Sequence, residues 1–247
     1  MSEQCSDFGN SDLGFVCIMD EVKYSLVEHL DELRKRIIYC LIFFGIASAL
    51  SWQWVPVIIK YTSAPVGKLV FLHPAEAFFT YLKVAFWGGF FLSLPVILYN
   101  IWKFVSLGLT PQERKNIVIF APASFLLFIL GAGFALFLAI PLAIKFLVGF
   151  GAGWAEPMLS LNQYLSFVGW LLLVFGLAFE LPVIVLFLVK LKVLTPRALA
   201  VYRRHAVLLI FIAAAVLTPT PDAFTQLLLV VPLIVLYELS IFLSRWV

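Results

Sequence analysis

The chain has 247 residues, of which 63% are hydrophobic and only 13% are charged, against roughly 45–50% and about 25% in an ordinary soluble domain. This composition excludes a soluble globular enzyme and indicates that most of the chain lies in lipid. The formal net charge of +3 says little about binding partners. The three cysteines are too few and too far apart to form a disulfide framework.

The acidic residues are concentrated near the amino terminus. Eight of the 14 acids fall at or before Glu32, and residues 1–22 are predicted to form a polar tail. A stretch this acidic is unlike the basic start of a cleaved signal peptide. The alternative interpretation takes residues 34–36 as the basic part of such a peptide, 37–46 as its hydrophobic part and 47–49 as its cleavage site.

Residues 23–36 form a predicted amphipathic helix on the cytoplasmic side. Ser25 and Glu28 have the spacing of a capping box, so the helix can begin there. Its apolar residues share one face: Leu26, Leu30, Leu33 and Ile37. Two pairs of opposite charge are four residues apart, Asp31 with Lys35 and Glu32 with Arg36. We expect this helix to lie along the membrane surface, either as an anchor for the first span or as part of a binding site.

Six apolar stretches predict six transmembrane helices, which make residues 37–247 an all-α membrane domain. The stretches cover residues 37–55, 84–102, 117–144, 164–189, 206–217 and 223–243. A crossing helix needs roughly 17–25 residues, which the fifth stretch does not reach. We favour two short final spans over a re-entrant hairpin through residues 218–222. Five prolines inside the stretches are predicted to bend their helices: Pro95, Pro122, Pro141, Pro182 and Pro232.

Lysine and arginine are distributed unevenly over the predicted loops. Thirteen of the 17 basic residues fall on one side of a six-span topology. The other side has Lys60, Lys68, Lys83 and Lys145. The positive-inside rule therefore predicts a multi-pass protein with both termini in the cytoplasm.

Two later acids are candidate functional residues. Glu180 lies inside the fourth stretch, where an ionised acid costs roughly 2.5–3.5 kcal/mol, so it is either functional or a protonated structural acid. Glu113 completes a predicted helix start at residues 110–113, so one interpretation is that it is a cap and nothing more. Beside Trp102 and Phe104, however, its carboxylate also suits a cationic, partly hydrophobic ligand.

The remaining polar residues offer no catalytic constellation. Asp222, Gln226 and Glu238 lie near predicted helix ends, where caps or interfacial groups are expected. The histidines share neither a helix face nor a cysteine, so no metal site is predicted. Because catalytic and phosphate-binding motifs are missing from the sequence, we predict neither an enzyme nor a cofactor.

Four ordered blocks of sequence closely resemble the TatC family. They are HLDELRKR at residues 29–36, LPVILYNIWKF at 94–104 leading to Glu113, FGxxFELP at 175–182, and TPxPDxxTQ at 218–226 leading through Pro232 to Glu238. TatC is the multispanning receptor subunit of the twin-arginine translocase, which exports folded proteins using the proton-motive force. The resemblance, over about residues 24–247, implies six helices in a cupped, glove-like bundle in the cytoplasmic (inner) membrane. It also implies that the last two helices are short.

The resemblance implies a site for twin-arginine signal peptides. Its residues would be Glu113 with Glu32 and Arg34 of the amphipathic helix, and Phe104 in the adjoining loop. The chemistry agrees with this implication, because the planar guanidinium group pairs with carboxylates through two hydrogen bonds and an ammonium group cannot.

The resemblance also implies contacts with single-span partners of the TatA and TatB type. Glu180 would make them from the concave surface facing the membrane, and Pro65, Asp222 and Gln226 would contribute. The implied assembly is an oligomeric complex in the lipid bilayer, without a cofactor or nucleic acid. Two other functions compete: an ion-coupled secondary transporter with Glu180 as proton carrier, and an intramembrane enzyme.

Overall fold

The computed structural model describes residues 11–64, 66–67, 69–109, 117–149, 158–218 and 222–246. These residues are almost entirely helical, and their strand-type pairing is limited to an isolated bridge between Val70 and Ser160. The all-α fold predicted from the sequence is confirmed, and each of the six apolar stretches lies in a helical region.

The helical elements follow one another along the described chain. They are α1 Ser11–Ser51, a 3₁₀ turn Trp52–Trp54, α2 Val55–Ser63, α3 Pro74–Val105, a 3₁₀ turn Ser106–Gly108, α4 Ile117–Phe134, a π-helical turn Ala135–Ala139, α5 Ile140–Gly149, α6 Leu161–Phe179, α7 Leu181–Lys190, α8 Pro196–Val201, α9 Arg203–Leu217 and α10 Ala223–Leu243.

Membrane-spanning capacity differs between the last two helices. Five stretches of the described chain are long and apolar enough to cross a membrane: His29–Ser63, Pro74–Gly108, Val118–Gly149, Leu161–Lys190 and Ala223–Leu243. The predicted fifth span is α9, which has 15 residues. At about 1.5 Å per residue it extends only about 22 Å, against a hydrocarbon core of about 30 Å. α9 and α10 are the shortest of the six helical stretches, as predicted.

The first helix begins earlier than predicted. α1 runs without interruption from Ser11 to Ser51, so the predicted start at Ser25 and Glu28 is wrong, and both residues lie inside the helix. A capping box marks a start only where the preceding residues leave the helical conformation. Here the residues upstream of Ser25 contain no proline. The amphipathic segment and the first span are therefore parts of one helix.

Two of the prolines coincide with interruptions of the helical pattern. Proline has no N–H to donate to the carbonyl four residues earlier. Accordingly, the π-helical turn Ala135–Ala139 ends just before Pro141, and a turn at Glu180 separates α6 from α7 just before Pro182. α3, α4 and α10 continue through the prolines inside them.

Small residues allow α1 and α3 to pack closely. A Cβ atom on Gly89 would lie only 2.5 Å from the Cα atom and 2.6 Å from the backbone nitrogen of Ser48. A Cβ atom on the neighbouring Gly88 would instead meet the side chain of Ser51. Because lipid gives helices little hydrophobic reason to associate, such close backbone contact is a main source of packing energy in a membrane.

The helix ends and the loops between them lie at two opposite ends of the bundle. At the end that we call the Phe104 end, the Trp102 ring of α3 contacts Phe120 of α4 and Phe187 of α7, with ring centroids 5.7 and 5.0 Å away. Arg203 and Glu238 form an ion pair of 2.9 Å at this end.

At the opposite end, the Lys83 end, two loops pair through their backbones. Val70 donates to the carbonyl of Leu159 at 3.1 Å and accepts from Leu161 at 2.9 Å.

Candidate functional site

The Phe104 end joins the amphipathic part of α1 to the last turn of α3. The ring centroids of His29 and Phe104 lie 4.5 Å apart. Phe104 lies inside α3, which ends at Val105, so its predicted place in a loop is wrong. The helix continues because the nearest following helix breakers in the sequence are Gly108 and Pro111.

The predicted ion pair between Glu32 and Arg36 is confirmed. Arg36 Nη2 donates to Glu32 Oε1 at 2.5 Å, and the Arg36 side chain is buried while Glu32 is half-buried. The Nε atom of Arg36 is buried and has no hydrogen-bond partner in the described structure. The prediction of a second pair, Asp31 with Lys35, is wrong for the described residues, because both side chains are exposed and water competes for their charges.

An apolar cavity of about 390 Å³ adjoins this ion pair. Arg36 and Phe104 both line it, and its other walls come from α1 and α3: Leu33, Ile37, Cys40, Leu41, Phe44, Phe90, Ile97, Asn100 and Ile101. The arginine of the ion pair and an aromatic ring therefore border one apolar space. Arg34 lies on an exposed part of the same helix, and Glu113 falls outside the described residues.

Glu180 is buried inside the bundle, with only 7% of its surface exposed. Its carboxyl group forms a hydrogen bond with Ser124 of α4, and Ser124 accepts a hydrogen bond of 2.9 Å from Trp102 Nε1. The expectation that Glu180 faces an open concave surface is therefore wrong for this structure. Burial of a carboxyl in lipid is costly unless it is hydrogen-bonded, and Ser124 supplies such a bond. The other oxygen, Oε1, has no partner among the described residues.

Asp222 and Gln226 lie at the start of α10, and Gln226 contacts α9. Asp222 is the N-cap of α10, and its Oδ2 accepts from the Thr225 backbone N–H at 2.7 Å. This confirms the expected cap. Gln226 Nε2 donates to the Phe211 carbonyl of α9 at 3.2 Å. Pro65 lies outside the described residues.

Two features of these sites were not predicted from the sequence. The first is the burial of Arg36, although its spacing from Glu32 indicated the ion pair. The second is the link from Trp102 through Ser124 to Glu180, which joins residues from three separate apolar stretches. No cluster of three or more histidine, cysteine or acidic side chains that could hold a metal ion occurs within the described ranges.

Comparison with known proteins identifies the family. A family model described as Sec-independent protein translocase protein (TatC) matches residues 28–232. The chain belongs to the TatC family. Among curated TatC proteins, that of Carboxydothermus hydrogenoformans is 42% identical over 93% of this chain and 96% of its own length. That of Aquifex aeolicus is 39% identical over 89% and 94% of the two chains.

A solved structure supports the same assignment. A crystal structure of the twin-arginine translocase receptor TatC superposes with a TM-score of 0.78 at 38% identity, covering 88% of this chain and 98% of that one. This TatC chain is accordingly a multi-pass translocase subunit and not an enzyme. The assignment favours the translocase over the ion-coupled transporter that Glu180 alone had left open.

Proposed function

We propose that this chain is the receptor subunit of a twin-arginine translocase and binds the signal peptides of folded proteins at its Phe104 end. The observation that carries the proposal is that Arg36, paired with Glu32, and Phe104 border one apolar cavity. A signal peptide would use both the charged pair and the apolar cavity, because its paired arginines bind carboxylates and its apolar side chains bind an apolar groove.

Glu32 and Glu113 are the proposed partners of the two guanidinium groups. Within the described structure, Glu32 receives a hydrogen bond only at Oε1, from Arg36. Its Oε2 is therefore available to an arriving arginine. Arg36 holds the Glu32 side chain in one position, which reduces the entropy that peptide binding would otherwise cost. Arg34 is proposed to border the same site, and Phe104 to supply a ring for stacking.

The Phe104 end is proposed to face the cytoplasm, where signal peptides arrive before export. Most basic side chains of the chain belong to this end by sequence, among them Arg34, Lys103, Lys190 and Arg203. The positive-inside rule supports this orientation in the cytoplasmic membrane, with both termini on the cytoplasmic side. Transport of the folded cargo is proposed to use the proton-motive force.

Peptide discrimination tests the receptor proposal. We expect the purified full chain to bind a twin-arginine peptide about tenfold or more tightly than the same peptide with two lysines, because lysine lacks the planar fork. Isothermal titration in detergent micelles measures both dissociation constants. Equal affinities for the two peptides would refute the receptor role proposed here.

Single-span partners of the TatA and TatB type are proposed to dock along α9 and α10. α9 exposes a row of apolar side chains that includes Ile212 and Val216. Asp222, Gln226 and Pro65 are proposed to contribute to this contact. Glu180 is proposed to take part as well: its Oε1 is buried without a hydrogen-bond partner among the described residues, so partner docking would have to open the bundle here before a polar side chain could donate to it.

Site-specific photo-cross-linking tests the partner surface. Val216 and Leu130 are both exposed apolar side chains, with 78% and 62% of their surface accessible, but only Val216 lies on α9. A photoreactive phenylalanine analogue at Val216 should cross-link a co-expressed single-span partner, and the same analogue at Leu130 of α4 should not. Equal yields at the two positions would show that cross-linking reports random contact in the membrane.

A further inference from the structure

One large cavity among the described residues was not assigned to the proposed binding of signal peptides. It has a volume of about 990 Å³ and lies between α1, α3, α5 and α6, toward the Lys83 end. This volume is at the upper end of the roughly 300–1,000 Å³ of ligand pockets. Seven of its lining side chains are aromatic: Phe44, Phe86, Trp87, Phe90, Tyr164, Phe167 and Trp170.

Lys83 brings a positive charge to the lining of this apolar cavity. Its ammonium group donates to Asn162 Oδ1 at 2.6 Å and to Ser166 Oγ at 2.7 Å. Both acceptors are neutral, and no carboxylate of the described chain forms an ion pair with Lys83. An ammonium group has three N–H donors, so one remains available for a ligand.

The acid in this polar network, Glu76, is hydrogen-bonded to groups other than Lys83. Glu76 accepts hydrogen bonds from the Ser160 hydroxyl, from the Leu72 backbone N–H at 2.6 Å and from the Asn162 backbone N–H at 3.1 Å. Asn162 therefore stands between the two charges, with its backbone toward Glu76 and its side chain toward Lys83. Lys83 and Glu76 together line a second, adjoining cavity but form no ion pair within the described chain, so Lys83 keeps one N–H donor for an anion in the larger cavity.

We propose that this cavity binds a phospholipid with an anionic headgroup. The phosphate would accept a hydrogen bond from Lys83, and an acyl chain would lie against the aromatic walls. The position of Lys83 in the sequence supports this choice, because it directly precedes the apolar stretch 84–102. In the structure Lys83 lies nine residues, about 13.5 Å, inside the span that begins at Pro74, a depth from which a long lysine side chain can reach the lipid headgroups. Lys83 lies at the opposite end of the bundle from the proposed signal-peptide site, although Phe44 and Phe90 line both cavities.

Native mass spectrometry of the purified full chain tests the site. We expect phosphatidylglycerol to bind about fivefold or more tightly than phosphatidylcholine, because a lysine near the headgroups contributes about 1 kcal/mol toward an anionic lipid. Lys83→Gln should abolish this preference, and Lys83→Arg should retain it. Lys60→Gln is the matched control, since it removes one charge from the same end of the bundle outside this cavity. Inorganic phosphate should not displace the lipid.

Three results would overturn the proposal. One is an equal affinity of the wild-type chain for the two lipids. Another is an equal loss of preference in Lys60→Gln and Lys83→Gln, which would indicate diffuse attraction to the whole end. The third is unchanged lipid binding by Lys83→Gln together with loss of cross-linking to a single-span partner, which would assign the cavity to an acidic group on that partner. Circular dichroism verifies that each variant remains folded.

Discussion

Replacing Glu32 and Glu113 together by glutamine should weaken the binding of a twin-arginine peptide by at least about 100-fold, because hydrogen bonds to charged groups contribute about 1.5–3 kcal/mol each. Glutamine keeps the shape of each side chain and removes its charge. The Glu32→Gln side chain can still accept a hydrogen bond from Arg36, so the fold should persist. Titration with a labelled peptide measures the change, and circular dichroism verifies the helical content.

Asp31 provides the matched control for this double variant. It is adjacent to Glu32, but its side chain is exposed and makes no ion pair within the described chain. Asp31→Asn should therefore change peptide affinity by less than about threefold, as expected for an exposed charge. If Asp31→Asn weakens binding as much as the double variant does, general attraction to an acidic surface explains the affinity and the proposed site is wrong.

Replacing Gly89 by alanine should destabilise the protein by about 1–3 kcal/mol, as overpacking does in other closely packed sites. The new methyl group would meet backbone atoms of Ser48 at 2.5 and 2.6 Å, so α1 and α3 would have to separate along their contact. Backbone atoms cannot rotate away as a flexible side chain can. Unfolding of the purified protein in mixed micelles of increasing denaturing detergent measures the free energy of unfolding.

Gly45 allows the same substitution without the clash. It also lies in α1, but a Cβ atom there would have no neighbour within 4 Å. Gly45→Ala should leave the free energy of unfolding unchanged or raise it slightly, since alanine favours the helical conformation. Similar destabilisation by the two variants would mean that the close contact between α1 and α3 does not determine stability.

Much of the fold follows from local properties of the sequence. Apolar stretches of sufficient length predict the spans because lipid requires every backbone polar group to be bonded within a helix. The spacing of four between Glu32 and Arg36 predicts their ion pair because such residues lie on one helix face. Asp222 as a helix cap follows from its position before an apolar run.

The environment of Glu180 could not be predicted in this way. Its partner Ser124 belongs to a different apolar stretch, and their contact depends on which faces of α4 and α6 meet. In these almost uniformly apolar helices, no pattern of polar and apolar residues marks the inner face. The same reason explains why the hydrogen bonds of Lys83 could not be predicted from the sequence. Its partners Asn162 and Ser166 become neighbours only when α3 packs against α6.

The continuity of α1 has a mechanical consequence. From Glu32 to Ser48 the helix extends about 24 Å at about 1.5 Å per residue, with no break between these positions. A force on a peptide bound at the proposed site would therefore be transmitted along this helix to its contact with Gly89, where close packing restricts sliding. The continuous α1 thus links the proposed binding end mechanically to the tightly packed middle of the bundle.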